Sequence, residues 1–188
     1  KSALTVNQVC GSGLRAVSLA AQSILTNQSN LVVAGGQESM SNAHHTINLR
    51  NGLKMGDGNI KDSMIIDGLW CAMNDYHMGT TAENLAELYN ISREDQDKFA
   101  FNSQQKAYKA QKSGRFSEEI IPISIPQKKK DPILFEHDEF IKGNTSIEIL
   151  SKLRTAFKKD GGTVTAGNAS GLNDGAAAML LASENGVT

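Results

Sequence analysis

The sequence predicts an α/β fold in which a layered sheet domain is interrupted by a long, loop-rich insertion. Strand-like and helix-like segments alternate near the start of the 188-residue chain, and strand-like segments return near its end. Residues 39–75 show little periodicity. A chain of this length can bury a substantial core. We therefore expect one domain built from residues 1–38 and 163–188, with residues 39–162 inserted into it.

The first predicted unit is a strand, a helix and a second strand. Small and β-branched residues at 3–9 indicate the first strand, and apolar residues at 14–25 recur at helical spacing after a glycine turn, which predicts a buried helix. Residues 31–34 are typical of a strand buried on both faces, which Gly35 and Gly36 would close. A right-handed crossover would make the two strands parallel, and ligands of such sheets collect at the carboxyl ends of strands.

Two helices follow in the insertion. Thr80 or Thr81 can cap a helix whose apolar residues are Ala82, Leu85, Ala86 and Leu88. Ser92 then begins an approximate capping box, and the longer helix that it opens should stop at Gly114.

The remaining elements are shorter. Isoleucines at 121, 123 and 125 alternate as in an edge strand, and the lysines at 128–130 favour a solvated turn. Residues 145–157 have apolar side chains at helical intervals, behind a cap at Thr145 or Ser146. The apolar run at 176–182 predicts a final strand.

Composition excludes several classes of function. The net charge is −1 and the pI is about 6.5, so no basic surface for nucleic acid is indicated. The longest apolar run is far shorter than the roughly 20 residues that span a bilayer, and no leader is visible, which predicts a soluble chain without a membrane partner. Two cysteines are too few for a disulfide framework, and this favours a reducing cytoplasm.

Cys10 is the residue most suited to covalent chemistry. It lies where the first strand meets a helix, whose unpaired N–H groups and positive end would stabilise a thiolate. Gly11 and Gly13 let the backbone approach a ligand closely, and N–H groups at this turn could hold an oxyanion. The alternative is a small, buried structural cysteine. Together these features favour acyl transfer.

Four segments resemble the thiolases, the acetyl-CoA C-acetyltransferases, in the order that the family has them. They are residues 6–14 (VNQVCGSGL), 35–41 (GGQESMS), 76–84 (YHMGTTAEN) and 164–177 (VTAGNASGLNDGAA). The resemblance runs through the whole chain and is closest to the biosynthetic, acetoacetyl-CoA-forming branch. It implies the layered thiolase fold, with the N-terminal sheet domain and its loop-domain insertion present and the C-terminal domain absent.

The resemblance implies a ping-pong Claisen condensation. Cys10 would take an acetyl group from acetyl-CoA, with its backbone N–H in an oxyanion hole, and the enolate of a second acetyl-CoA would attack the resulting thioester. Thiolysis of acetoacetyl-CoA is the reverse path. Acetyl-CoA, acetoacetyl-CoA and CoA are then the small-molecule partners, and CoA is a substrate or product rather than a cofactor.

The resemblance also assigns residues to the CoA site. His77 would line the acyl-CoA pocket beside Leu69 and Met78, although a purely structural histidine is the alternative. Ser170 would hydrogen-bond the pantetheine arm, and Phe157 would pack on it. Lys142 stands where some relatives have an arginine that stacks on adenine, and lysine lacks that planar face. The full set is Leu69, His77, Met78, Lys142, Phe157, Ala166 and Ser170.

No metal site is expected. His44 and His45 are adjacent, which places them on opposite faces of an extended segment, and neither has ligand spacing to Cys71 or His77. Cys71 is interpreted as a packed loop thiol. In the family, residues 44–64 would correspond to loops that assemble a tetramer, so a homotetramer is expected of the complete enzyme.

Two motifs of the family are missing from this sequence: the Gly-His-Pro histidine that activates the nucleophile, and the second cysteine that moves the α-proton. There is no histidine after His137 and no cysteine after Cys71. The sequence therefore resembles an internal piece of the enzyme. Either it is a portion of a working acetyltransferase, or it is a catalytically silent CoA-binding or assembly module. A thiol oxidoreductase is a third alternative, disfavoured because no Cys-x-x-Cys pair exists.

Overall fold

The computed structural model describes residues 2–187, and these form two compact units. The first unit contains the residues up to Trp70 and those from Leu172 onward, and the second is Cys71–Gly171. Lys1 and Thr188, the outer ends of two predicted domains, lie outside the described residues. The regular elements, in chain order, are α1 (Ser12–Leu25), β1 (Leu31–Ser39), β2 (His45–Thr46), β3 (Lys61–Asp62), β4 (Trp70–Cys71), β5 (Tyr76–His77), α2 (Met78–Leu88), α3 (Arg93–Lys112), β6 (Ile123–Ile125), β7 (Ile133–Phe135), α4 (Ile147–Ser151) and β8 (Asp174–Ala182).

A pair of long antiparallel strands organises the first unit. β1 and β8 pair along their whole lengths, from Leu31 opposite Ala182 to Ser39 opposite Asp174. Helix α1 packs on this pair. The buried apolar residues of the unit, among those described, are Ala20 in α1 and Ala34 in β1. The predicted helix and the predicted final strand are therefore confirmed.

Several predictions for this unit are wrong. Residues 3–7 form no strand, because a strand needs a hydrogen-bonded neighbour and β1 pairs with β8 instead. The predicted parallel pairing is consequently replaced by an antiparallel one. β1 also continues through Gly35 and Gly36 to Ser39, and most of its residues are exposed rather than buried on both faces. In α1 the predicted buried residues Leu14 and Leu25 are each 80% exposed.

The segment between β1 and β4 contains only short elements, as predicted. They are a 3-10 turn at Met40–Asn42, the β2–β3 pair and a π-helical turn at Ile65–Leu69. Asp174 at the start of β8 ties this segment to the strand pair, since its carboxylate accepts the Ser41 N–H at 3.0 Å and also the Ser41 hydroxyl.

Helices α2 and α3 dominate the second unit. Ser92 caps α3 by accepting the Asp95 N–H at 3.0 Å, and Gly114 follows the helix with φ +73°, both as predicted. Helix α2, by contrast, begins at Met78 and is capped by His77 rather than by Thr80 or Thr81. The buried residues of α2 are Glu83 and Ala86. Leu85 and Leu88, two of the apolar residues on which this helix was predicted, are exposed.

The rest of the second unit is a hairpin and a short helix. β6 and β7 pair as an antiparallel hairpin whose connection contains the three lysines, so the edge strand and the solvated turn are confirmed. Helix α4 spans only Ile147–Ser151 instead of residues 145–157. Beyond it Thr155 forms an isolated antiparallel bridge with Thr165, and the Ala156 N–H donates to the Val164 carbonyl at 2.9 Å. Because of these pairings, the chain directly before Phe157 is not helical.

The interior of the described residues is smaller than expected and partly polar. The buried apolar residues are Ala20, Ala34, Ala86, Leu150 and Val164. Glu83, Asp97 and Thr165 are buried with them. Hydrogen bonds of Glu83 and Asp97 hold residues 163–168 against helices α2 and α3.

Candidate active site

Cys10 is exposed in a tight turn directly before α1. The Gly11 N–H donates to the Gln8 carbonyl at 3.0 Å, and the Ser12 N–H donates to the Val9 carbonyl at 3.1 Å. The Ser12 hydroxyl closes the turn, because it accepts the Gln8 N–H at 2.8 Å and donates to the Val9 carbonyl at 2.6 Å. The alternative of a buried structural cysteine does not hold, since the thiol is open to solvent.

Val9, immediately before the thiol, has a left-handed backbone with φ 49°. This conformation is rare for a β-branched residue, and it costs about 1–3 kcal/mol. The Asn7 side chain accepts the Val9 N–H at 2.9 Å, which adds to the hydrogen bonds of the turn. The local strain is thus offset by five hydrogen bonds that fix how Cys10 is presented.

In the second unit, the imidazole of His77 is held on two sides. Its Nδ1 atom accepts the Gly79 N–H at 3.0 Å, so the side chain caps α2. Its ring stacks on Phe157 with 4.7 Å between the centroids and 26° between the planes. Because Nδ1 is an acceptor, the proton of the neutral ring lies on Nε2. His77 therefore offers a ligand one oriented donor, Nε2–H.

Because Gly79 has no side chain, there is room for the Phe157 ring to stack on His77. The aromatic ring lies so close to the Gly79 backbone that a Cβ atom there would overlap it. Met78, the first residue of α2, is 38% exposed beside this pair. The start of α2 thus presents two of the predicted CoA contacts, His77 and Met78, with Phe157 packed against the helix.

The turn that carries Ala166 and Ser170 is anchored to α2 by Glu83. Both carboxylate oxygens accept the Thr163 N–H, at 3.0 and 2.9 Å, and they also accept the Thr163 hydroxyl and the Val164 N–H, each at 2.9 Å. Burial opposes ionisation of this carboxyl group, but these donors and the nearby Lys158 charge outweigh it, and the pKa of Glu83 lies below its ordinary value. Glu83 is thus a buried, ionised anchor.

A second anchor joins the same turn to α3. Asn168 donates to the Asp97 carboxylate and to the Thr163 carbonyl, each at 2.9 Å, while its own carbonyl accepts the Thr165 N–H at 2.7 Å. Asp97 is 2% exposed and pairs with Arg93, with 2.8 Å between Nε and Oδ2. The Arg93 guanidinium also donates to two carbonyls at the end of α4, those of Leu150 and Leu153, at 2.6 and 3.1 Å.

Lys142 lies on a loop held against α3. Its N–H donates to the Gln104 side chain at 2.7 Å, and Gln105 donates to the Gly143 carbonyl at 3.3 Å. Phe140, on the same loop, packs on Gly171 so closely that a Cβ there would overlap its ring. The loop of Lys142 therefore adjoins the turn that carries Ser170.

All of the predicted CoA-contacting residues except Leu69 belong to the second unit. The structure stacks His77 on Phe157 and places Ala166 and Ser170 on one turn. Ala166 and Ser170 are exposed on their turn, and Lys142 is exposed on its loop. Leu69 is half-buried at the end of the π-helical turn in the first unit, which also contains Cys10.

The sequence did not predict Glu83, Asp97 and Asn168 as positioning residues. One signal was available for Glu83: it stands three residues before the buried Ala86 on the same helical face, where a carboxylate needs partners. Nothing local points to its partners, which are 80 and 81 residues away.

No group of three or more His, Cys, Asp or Glu side chains in residues 2–187 is arranged to hold a metal ion. His45 lies 4.0 Å from Asp62, and both it and His44 are exposed. Cys71 is half-buried in β4 rather than packed in a loop. Asn74 donates to its sulfur at 3.2 Å, and the side-chain and backbone hydrogen bonds of Asn74 lower the pKa of Cys71. No helix within the described part is long and apolar enough to cross a membrane.

Residues 1–185 match the family described as "Thiolase, N-terminal domain". The chain belongs to the thiolase family. It is 58% identical over 184 residues to an acetyl-CoA acetyltransferase of Allochromatium vinosum, covering 97% of this chain and 46% of that protein. It is 59% identical to a probable acetyl-CoA acyltransferase of Staphylococcus aureus, with coverage of 97% and 47%. The chain therefore spans about half the length of these curated thiolase relatives.

A solved thiolase structure supports the same fold. Human mitochondrial 3-ketoacyl-CoA thiolase in complex with CoA matches with a TM-score of 0.90 and 43% identity, over 98% of this chain and 46% of that one. The predicted α/β thiolase fold is confirmed. The relatives include both acetyl-CoA acetyltransferases and a 3-ketoacyl-CoA thiolase, so family membership establishes a thiolase-type acyltransferase homologue without distinguishing the two reactions.

Proposed function

We propose that this chain carries the nucleophile and most CoA contacts of an acetyl-CoA C-acetyltransferase. The complete enzyme joins two acetyl-CoA molecules into acetoacetyl-CoA and CoA, or catalyses the reverse thiolysis. The observation that supports this most is Cys10, whose exposed thiol lies in a strained, hydrogen-bonded turn at the start of α1. The Allochromatium relative is an acetyl-CoA acetyltransferase, which agrees with this reaction.

The first step is transfer of an acetyl group to the chain. The Cys10 sulfur attacks the carbonyl carbon of acetyl-CoA, the bond from that carbon to the CoA sulfur breaks, and the thiol proton of Cys10 passes to the departing sulfur. One thioester replaces another, so the step is reversible with little change in energy. The Cys10 backbone N–H is proposed to donate to the oxyanion that forms during the attack.

The second step joins two carbon centres. The enolate of a second acetyl-CoA attacks the acetyl-Cys10 carbonyl, a carbon–carbon bond forms, and the Cys10 sulfur leaves as a thiolate that takes up a proton. The proposed contacts divide along the CoA molecule: His77 and Met78 with Leu69 at the acyl end, Phe157, Ala166 and Ser170 along pantetheine, and Lys142 near adenine. The half-exposed His77–Phe157 stack and the exposed turn at Ser170 support this division.

A CoA-binding or assembly module is the second candidate function. It is favoured by the placement of six proposed CoA contacts in the compact unit Cys71–Gly171, and by the half-length coverage of the relatives. For the complete enzyme we propose a homotetramer. Both cysteines are unbridged, which agrees with a reducing compartment such as the cytoplasm.

Intact-mass spectrometry after incubation with acetyl-CoA tests the first candidate. We expect the mass to rise by one acetyl group, and peptide mapping to place that group on Cys10. Cys10→Ser should abolish the thioester adduct, while Cys71→Ser should leave it unchanged. An acetyl group that maps to another residue, or a thioester that persists in folded Cys10→Ser, would reject Cys10 as the acetyl acceptor. A folded chain that binds CoA but forms no adduct would favour the binding module for this chain.

A further inference from the structure

We propose that Glu83 is a positioning residue for the turn that contacts the pantetheine arm. This inference rests on the proposed function, which assigns pantetheine contacts to Ala166 and Ser170. Glu83 is 5% exposed, and all four of its hydrogen bonds go to Thr163 and Val164, at the start of the segment that leads into this turn. None of these hydrogen bonds goes to a proposed ligand contact, so Glu83 acts through residues 163–164.

Glu83 connects segments that contribute different proposed contacts to the same ligand. Helix α2 carries Glu83 and begins with Met78, next to the His77 cap. Val164, which Glu83 holds by its N–H, accepts the Ala156 N–H through its carbonyl at 2.9 Å, one residue before Phe157. A displacement of Val164 would therefore move the Phe157 side and the Ala166 side of the pantetheine site at once.

The choice of a carboxylate supports a positioning role over simple packing. A buried charge is unfavourable unless hydrogen bonds replace its lost hydration, and an apolar side chain would fill the space beside Ala86 without that requirement. Hydrogen bonds are directional, whereas apolar contacts are not. Two oxygens that accept four hydrogen bonds therefore fix both the distance and the orientation of residues 163–164 on α2.

Ligand binding by Glu83→Gln tests the proposal. The amide keeps the shape of the side chain but directs N–H groups at the Thr163 N–H and hydroxyl. Calorimetric titration of the chain with CoA, pantetheine and adenosine 3′-phosphate 5′-diphosphate should show CoA and pantetheine weakened about tenfold, or about 1.4 kcal/mol. The adenosine ligand, which lacks the pantetheine arm, should bind as it does to the wild type.

Glu87→Gln is the matched control. It is the same substitution one turn later on α2, at an exposed carboxylate that pairs with the Lys158 ammonium at 3.1 Å. We expect all three ligands to bind this variant as they bind the wild type. Thr163→Val is a second test for the case in which Glu83→Gln fails to fold. It leaves the carboxylate in place and removes only the hydroxyl donor, so we expect a smaller weakening of pantetheine binding.

The outcomes separate this proposal from the proposed function. A wild-type chain that is folded but binds neither CoA nor pantetheine overturns both. A Glu83→Gln variant that binds pantetheine normally, or that weakens pantetheine and the adenosine ligand equally, overturns only the positioning role. If Glu83→Gln does not fold, normal pantetheine binding by Thr163→Val overturns it. Selective loss of pantetheine affinity supports it.

Discussion

His77 stacks on Phe157 with 4.7 Å between the ring centroids, and its Nδ1 atom caps the helix that begins at the next residue. One side chain thus defines the start of α2 and the place of the aromatic ring. The arrangement depends on Gly79, which leaves room for Phe157 at the helix backbone. A proposed CoA contact is therefore positioned by a residue that has no side chain.

The substitution Gly79→Ala should displace the Phe157 ring. The added Cβ would overlap the ring, and overpacking of this kind costs about 1–3 kcal/mol. We expect urea denaturation to show a lower free energy of unfolding, and CoA to bind more weakly. Gly175→Ala in β8 is the control, because a Cβ there meets nothing within 4 Å and glycine within a strand is less stable than alanine by about 0.5–1 kcal/mol. Equal effects of the two substitutions would contradict the steric explanation.

The hydroxyl of Ser12 should be needed for Cys10 to react. Ser12→Ala removes the bonds to the Gln8 N–H and the Val9 carbonyl, so the strained conformation of Val9 loses support. We expect the free energy of unfolding to fall by about 1–2 kcal/mol and Cys10 to be acetylated more slowly by acetyl-CoA. Mass spectrometry of samples quenched at successive times measures the rate of acetylation. Ser18→Ala, at an exposed position of the same helix, should change neither quantity.

The Arg93–Asp97 pair should contribute far more to stability than a surface pair of the same spacing. Asp97→Ala leaves the partly buried guanidinium without its counter-charge and removes one of the two acceptors of the Asn168 amide, and breaking a buried pair costs about 3–5 kcal/mol. Glu119→Ala breaks the exposed Arg115–Glu119 pair, which is worth about 0.5 kcal/mol. Denaturant titration of both variants checks the comparison, and similar losses would refute the structural role of Asp97.

The stability of the second unit should fall in acid because of Glu83. The folded-state pKa of this carboxyl group is depressed, so its contribution is complete above the unfolded pKa of about 4.3 and is lost as pH falls through the lower folded pKa. We expect Glu83→Gln to be less stable than the wild type at neutral pH and to lose less stability between neutral pH and about pH 3. Urea titrations at several pH values, with Glu87→Gln alongside, measure this. Parallel curves for wild type and Glu83→Gln would contradict it.

The sequence predicted the helices better than the strands, for a physical reason. The cap at Ser92 and the stop at Gly114 are local signals, and α3 follows them closely. A strand depends on its partner, so residues 3–9 looked like a strand but form none. The extent of β1 likewise follows from its pairing with β8, more than 130 residues later.

The candidate site shows the same division. Cys10 was recognisable because the turn, the glycines and the helix start adjoin it in sequence. Glu83, Asp97 and Asn168 were not, because each has a partner about 70 to 80 residues away that joins it to another segment. The cap of α2 was misplaced since histidine is an uncommon capping residue, and only the structure shows its Nδ1 atom on the Gly79 N–H.

Exchange of CoA into acetyl-CoA is the most direct test of Cys10 as the acetyl acceptor. Isotopically labelled CoA is incubated with unlabelled acetyl-CoA and the chain, and labelled acetyl-CoA is separated by chromatography. Reversible formation of acetyl-Cys10 predicts that label enters acetyl-CoA with the wild type and with Cys71→Ser, and does not with Cys10→Ser. Exchange that persists in folded Cys10→Ser would contradict the proposed role of Cys10.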